Sequence, residues 1–181
     1  MAEKKKTTLA FKLLIGMATV MLSLTAGIYA YGLSHDAEHT ATGSEVVNAP
    51  LAQVFAMQAD PREVAKWKEQ VAEVRDYKDL GGGLASWREV WKDDNQFDFV
   101  ITHYEHNKLL RIQITDVNEV FYGNWTISFE EAEGGTRITI TEKGTIPNAF
   151  VRGAFHLSTS TDATLKDHLK QLKAQAETSQ D

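Results

Sequence analysis

The chain has 181 residues, a formal net charge of −6 and no cysteine. The absence of cysteine excludes disulfides, thiol nucleophiles and thiolate-held metals. The acidic balance argues against nucleic acid, or an anionic lipid surface, as an electrostatic partner.

Leu13 to Leu33 is an uncharged apolar run. At a rise of 1.5 Å per residue, about twenty such residues cross a bilayer core about 30 Å thick. Lys4, Lys5, Lys6 and Lys12 precede the run, and the ionisable residues of Ser34 to Glu45 are only acids and histidines. Lysine-rich flanks stay in the cytoplasm. The N-terminus is therefore expected there, with the rest of the chain extracytoplasmic (periplasmic in a bacterium). A cleaved signal peptide is the alternative, but its apolar region is typically about 7–15 residues. This run is longer, and Ile28 before Ala30 spoils the small-x-small cleavage pattern. Tyr29 and Tyr31 suit an aromatic belt. The expected division is a basic start over 1–12, a span over 13–33, a linker over 34–44, one domain over 45–177 and a tail over 178–181.

Glu45 to Val47 predicts a brief strand. In "NAPLAQVFAMQADP", Asn48 suits a cap and Pro50 a first helical turn, while Leu51, Val54, Phe55 and Gln58 follow helical spacing. Pro61 opens a second short helix over Arg62 to Lys66, near Trp67. From Val71 the period becomes two. Strands are predicted over Val71–Lys78, Ala85–Lys92, Asn95–Tyr104, Leu109–Val117, Phe121–Glu130 and Thr136–Lys143. The breaks between them are short and turn-like, which means hairpins and an antiparallel meander with one buried face.

Helical spacing returns with Ala149, Phe150, Gly153, Ala154 and Leu157. After "STST" it resumes with Leu165, Leu169 and Leu172. The final helix has one apolar stripe and the sheet one apolar face, so each can cover the other. The expected fold is α+β: a curved antiparallel sheet gripping a long C-terminal helix, with room for a ligand between them.

The order of elements and the segments "NAPLAQVFAMQADP" with Trp67, "SWREVW", "FYGNWTISFE" and "GGTRITITEKGTIPNAFVR" resemble the START-like (SRPBCC, helix-grip) superfamily. Within it, the chain is similar to bacterial polyketide cyclase/dehydratase-like proteins over Glu45 to about Ala176. The resemblance implies a cavity for a hydrophobic or aromatic small molecule. It brings no universal catalytic motif.

By strand phase, Glu89 lies between Trp87 and Trp91, His103 continues Phe97, Phe99 and Ile101, and Glu142 continues Ile138 and Ile140. A carboxylate or histidine in an apolar cavity can serve as acid or base. The competing assignment is ordinary ion pairing, opposite Arg88 or Arg137 for example, or reversal by a bulge. No catalytic set is complete. Cavity walls are expected from Trp87, Trp91, Phe97, Phe99, Ile101, Ile112, Ile114, Phe121, Trp125, Ile140, Phe150 and Phe155, with Tyr104 and Leu157 as further candidates; the competing role is core. No histidine pair has ligand spacing with a third carboxylate, and no phosphate loop or serine elbow occurs, so neither metal nor cofactor is expected.

The leading expectation is a membrane-anchored binding or carrier domain rather than an enzyme, with catalysis left open, holding a lipid, isoprenoid, quinone-like or aromatic molecule. Its partners would be that molecule and, through the N-terminal helix, the membrane. The alternatives are a cyclase- or dehydratase-like enzyme using Glu89, His103 or Glu142, and a scaffold that binds a partner through an exposed apolar patch.

Overall fold

The computed structural model describes residues 2–160 and 162–178, with side chains from Phe11 onward. The side chains of Lys4, Lys5 and Lys6, and 179–181 of the expected tail, lie outside the described residues. Helix α1 (Ala2–Leu33) is continuous. Its segment Phe11–Leu33, 23 residues, is long and apolar enough to cross a membrane. Residues 11–27 are exposed on every side, with apolar side chains around most of the circumference. Thr19 and Thr25 turn their hydroxyls back onto the carbonyls of Ile15 and Met21, so neither polar group needs an outside partner.

Strand β1 (Glu38–Val47) is longer than the expected Glu45–Val47 and takes up most of the stretch read as a linker. It pairs with β7 over its whole length. Its alternation escapes hydropathy because the inward positions are His39, Ala41, Gly43 and Glu45, ahead of Val47. Helix α2 (Leu51–Ala59) follows, with Val54, Phe55 and Gln58 buried. Pro50 occupies its cap position, with no side-chain cap bond, in place of the expected Asn48. The second short helix is split into a 3₁₀ turn (Pro61–Glu63), capped by Asp60, and α3 (Val64–Trp67).

The meander runs through β2 (Val71–Gly81), β3 (Leu84–Trp91), β4 (Gln96–Glu105), β5 (Leu109–Asp116), β6 (Tyr122–Ala132) and β7 (Gly135–Thr145). With β1 it makes one seven-stranded sheet in the order β1-β7-β6-β5-β4-β3-β2, antiparallel at every pairing. Register shifts within β2–β3 and β4–β5 add bends to the ordinary twist. Helix α4 (Ala149–Ser158) is capped by Asn148, whose side-chain oxygen accepts from the backbone N–H groups of Phe150 and Val151. Helix α5 (Ala163–Thr178) lies in the grip of the sheet, with Leu165, Leu169, Leu172 and Ala176 buried.

Leu110, Ile127, Ile138 and Ile140 on the inner face are fully buried with the α5 leucines. Each such side chain stabilises the fold by about 1.5–3 kcal/mol through burial. The architecture is the α+β helix-grip arrangement expected from the periodicity.

Candidate functional site

Next to this packed region, the sheet's inner face leaves a cavity of about 540 Å³. Its apolar wall is largely aromatic: Phe97 and Phe99 of β4, Phe121 and Trp125 around β6, and Trp91 of β3. Ile114 adds to the sheet wall, while Val151 and Phe155 of α4 close the opposite side. Asp93, Asn95, Ser158 and Thr164 are exposed members of the same lining and mark its rim. Flat ring faces and a few convergent polar groups are the usual composition of a small-molecule pocket.

Three polar couples lie in or against this space. Nε2 of His39 (β1) lies 3.0 Å from one carboxylate oxygen of Glu142 (β7). The other oxygen accepts the indole N–H of Trp125 at 2.5 Å. His39 also faces Phe121 and Phe155, with ring centroids 6.3 Å away in each case. The antiparallel pairing of β1 with β7 brings these residues together across the chain.

The second couple is buried. Lys68 Nζ donates to Glu89 at 2.8 Å, and the two side chains are only 5% and 3% exposed. The indoles of Trp87 and Trp91 donate to the same carboxylate at 3.4 and 3.1 Å. The ammonium lies over the Trp91 and Phe99 rings at 5.3 and 5.4 Å. Three donors and ring faces thus compensate a charge pair taken out of water.

The third is Gln58 with His168, whose side-chain nitrogens are 2.8 Å apart. Trp67 and Trp125 meet the imidazole edge to face at 5.1 and 4.8 Å. Burial, and secondarily the charge of Lys68, push His168 well below the ordinary histidine range.

Of the acid/base candidates, Glu142 lines the cavity. Glu89 is buried but committed to Lys68 and two indoles. His103 is a correction: it lies outside the cavity, half exposed, hydrogen-bonded to Glu105 at 2.9 Å. The register shift between Ile101 and His103 reverses the alternation, so Tyr104 takes the inward position against Phe55.

The wall residues divide similarly. Trp91, Phe97, Phe99, Ile114, Phe121, Trp125 and Phe155 line the space. Trp87, Ile101, Ile112 and Ile140 belong to the packed core, and Phe150 and Leu157 point outward from α4. Periodicity did not pick out His39, Lys68 or His168. The signal for His168 was available, since it sits on the same α5 stripe as Leu165, Leu169 and Leu172.

The helix that closes the cavity is joined to α1. A side chain at Gly32 would strike the carbonyl oxygen of Ala149, and one at Gly153 the carbonyl oxygen of Ile28, so the backbones touch where neither residue has a Cβ. Arg152 donates from Nε to Gly32 and from Nη1 to Ile146 and Pro147 carbonyls. His35 stacks on His156 with centroids 4.3 Å apart. Desolvation lowers the His156 pKa, and the neighbouring His35, His39 and Arg152 act in the same direction.

A family model described as polyketide cyclase / dehydrase and lipid transport matches residues 38–177. No curated protein matches the chain by sequence. Among solved structures, the Zhui aromatase/cyclase from Streptomyces sp. R1128 superposes with a TM-score of 0.66 at 13% identity, over 77% of this chain and 94% of its own. The di-domain ARO/CYC BexL from the BE-7585A biosynthetic pathway gives 0.64 at 16% identity, over 82% of this chain and 53% of its own. Ara h 8.0201 gives 0.56 at 13% identity, over 78% and 99%. The chain thus spans about half the length of the di-domain structures it matches. At such identities the likeness is one of fold.

Proposed function

This chain belongs to the polyketide cyclase / dehydrase and lipid transport family, and from that membership we propose that it is a membrane-anchored binding or carrier domain. Its ligand is a hydrophobic or aromatic small molecule of lipid, isoprenoid or quinone-like character. The observation that carries the reading is the cavity of about 540 Å³ with its largely aromatic wall beneath α4 and α5.

Anchorage is supported by the 23-residue apolar segment and by its junction with the domain. Gly32 accepts from the buried Arg152, and its backbone touches α4. Cleavage within or just after the span would remove a surface that the domain uses for packing. Retention therefore suits the structure better than a cleaved signal. Tethering holds the domain at high effective concentration beside ligands carried by the bilayer.

The test is to purify the full chain from membranes in detergent and analyse it by intact mass and lipid mass spectrometry. The reading predicts an unprocessed N-terminus and a co-purifying apolar molecule that raises the melting temperature. A chain shortened by about thirty residues (the length of a signal peptide) would overturn the anchor. Absence of any bound molecule, with no thermal response to a membrane lipid extract, would overturn carriage.

The His39–Glu142 couple favours a second reading, a cyclase- or dehydratase-like enzyme with acid/base groups at the cavity wall. Recovery of the added ligand decides between them, because a carrier returns it unchanged and an enzyme does not.

A further inference from the structure

Helix α4 has three faces, and two of them are accounted for. Ala149, Gly153 and His156 meet the end of α1: the backbones touch at Gly32 and Ile28, and the His156 ring stacks on His35. Val151, Phe155 and Ser158 line the cavity. The third face, at the same helical spacing, is Phe150, Ala154 and Leu157. It is wholly apolar, yet Phe150 and Leu157 are 38% and 62% exposed.

The contact with α1 fixes the surroundings of that face. Ile28 and Gly32 both belong to the apolar segment Phe11–Leu33, so α4 crosses α1 within the length that can span a bilayer, not beyond it. With α1 across a membrane, α4 lies level with the exposed Tyr29 and Tyr31, where aromatic rings mark the headgroup boundary. Backbone contact and the bond from Arg152 to Gly32 hold it there. The chemistry of α4 suits that depth. Its ionisable side chains are Arg152, spent on carbonyl oxygens, and His156, stacked on His35. Asn148 satisfies backbone N–H groups of the first turn, and the Ser158 hydroxyl donates back to the Phe155 carbonyl. A helix with its polar groups satisfied and one greasy face exposed is suited to lie in a membrane interface.

We propose that the Phe150, Ala154 and Leu157 face of α4 is a membrane-docking surface, seated in the interface of the bilayer that α1 crosses. This rests on the reading of α1 as a retained anchor, and it names a second place where the domain meets lipid. The wall between bilayer and cavity is then one helix thick, with Phe150 and Leu157 on the lipid side and Val151 and Phe155 on the cavity side. The attraction is apolar and needs no anionic lipid, in keeping with an acidic chain.

The test exploits the absence of cysteine, since F150C, L157C, L22C and L80C each create a single site for an NBD fluorophore. Leu22 lies within the apolar segment, and Leu80 is an exposed control on β2, at the sheet edge opposite β1. Each full-length labelled chain is reconstituted in phosphatidylcholine vesicles. These carry a spin-label quencher either just below the headgroup or near the acyl-chain ends. L22C should be quenched by the deep label. F150C and L157C should be quenched by the shallow label, at least about twofold more than by the deep one, as expected at the headgroup–acyl boundary. L80C should respond to neither. Two positions on the face keep the test decisive if one variant fails to fold, which its melting temperature reports. An unquenched L22C overturns the anchor and the docking surface together. A quenched L22C with F150C and L157C no different from L80C overturns the docking surface alone. Quenching of L80C as strong as that of L157C overturns its assignment to α4. Shielding of L157C from aqueous iodide without quenching by lipid would mean that protein covers the face, and overturns the bilayer as its partner.

Discussion

The guanidinium of Arg152 donates from Nε to the carbonyl oxygen of Gly32 at 2.8 Å. One bond thus ties the helix that closes the cavity to the last turn of the apolar N-terminal helix. The same side chain holds two carbonyls at the entry to α4. Helix α1, α4 and the cavity wall are therefore one mechanical unit, and a change at the junction should be felt at the cavity.

G153L places carbon where the Ile28 carbonyl already sits, since even a Cβ would fall 2.1 Å from that oxygen. The helices must separate, at a cost of about 1–3 kcal/mol for overpacking. We expect a lower melting temperature for the full chain in detergent and faster proteolysis between α1 and β1. An unchanged digestion pattern would show that the junction is not formed.

K68M removes the cation from a buried pair and leaves Glu89 without it at 2% exposure. A loss of about 3–5 kcal/mol is expected, read as a shift of the urea midpoint. The double variant K68M/E89L should recover most of that loss, because it removes the stranded charge as well. A double variant as unstable as K68M would mean that the pair contributes through geometry rather than charge compensation.

His168 sets a pH dependence with a definite sign. Its folded pKa lies well below the ordinary 6.5, so the folded state binds fewer protons than the unfolded one. Its contribution is complete above about pH 6.5 and is lost as the pH falls towards the folded value, by about 1.4 kcal/mol per pH unit for one group. H168F should lose less stability than wild type between pH 7.5 and pH 5. His156 shifts in the same direction and remains in both proteins, so the difference between them isolates His168. Parallel profiles would contradict the burial of His168 as a neutral ring.

Val151 projects into the cavity from α4. V151W adds bulk to existing space, so it should leave the unfolding free energy within about 1 kcal/mol of wild type. Apolar ligand binding, followed by tryptophan fluorescence, should weaken about tenfold or more. Full binding in V151W would show that the ligand sits elsewhere.

Much of the fold was legible because the inner face is written locally. Leu110, Ile112 and Ile114 alternate with Arg111, Gln113 and Thr115, and Ile138 and Ile140 with Arg137 and Thr139. A period of two along a strand needs no knowledge of its neighbours. His103 failed that logic because one register shift against β5 exchanges the two faces beyond Ile101. β1 escaped it because its inward side is His39, Ala41 and Gly43, which carry little hydropathy contrast.

Composition and spacing alone determined that the chain has an apolar helix of bilayer length, a meander with one greasy face and a closing amphipathic helix. Each of these depends only on neighbours a few positions apart. Tertiary structure decided which polar residues meet: His39 with Glu142, Lys68 with Glu89, Gln58 with His168, Arg152 with Gly32. It also decided where side chains stop short of one another and leave a hollow. Those contacts join residues from 21 to 120 positions apart, and only the register of strands and the seating of helices, which no local pattern encodes, brings them within bonding distance.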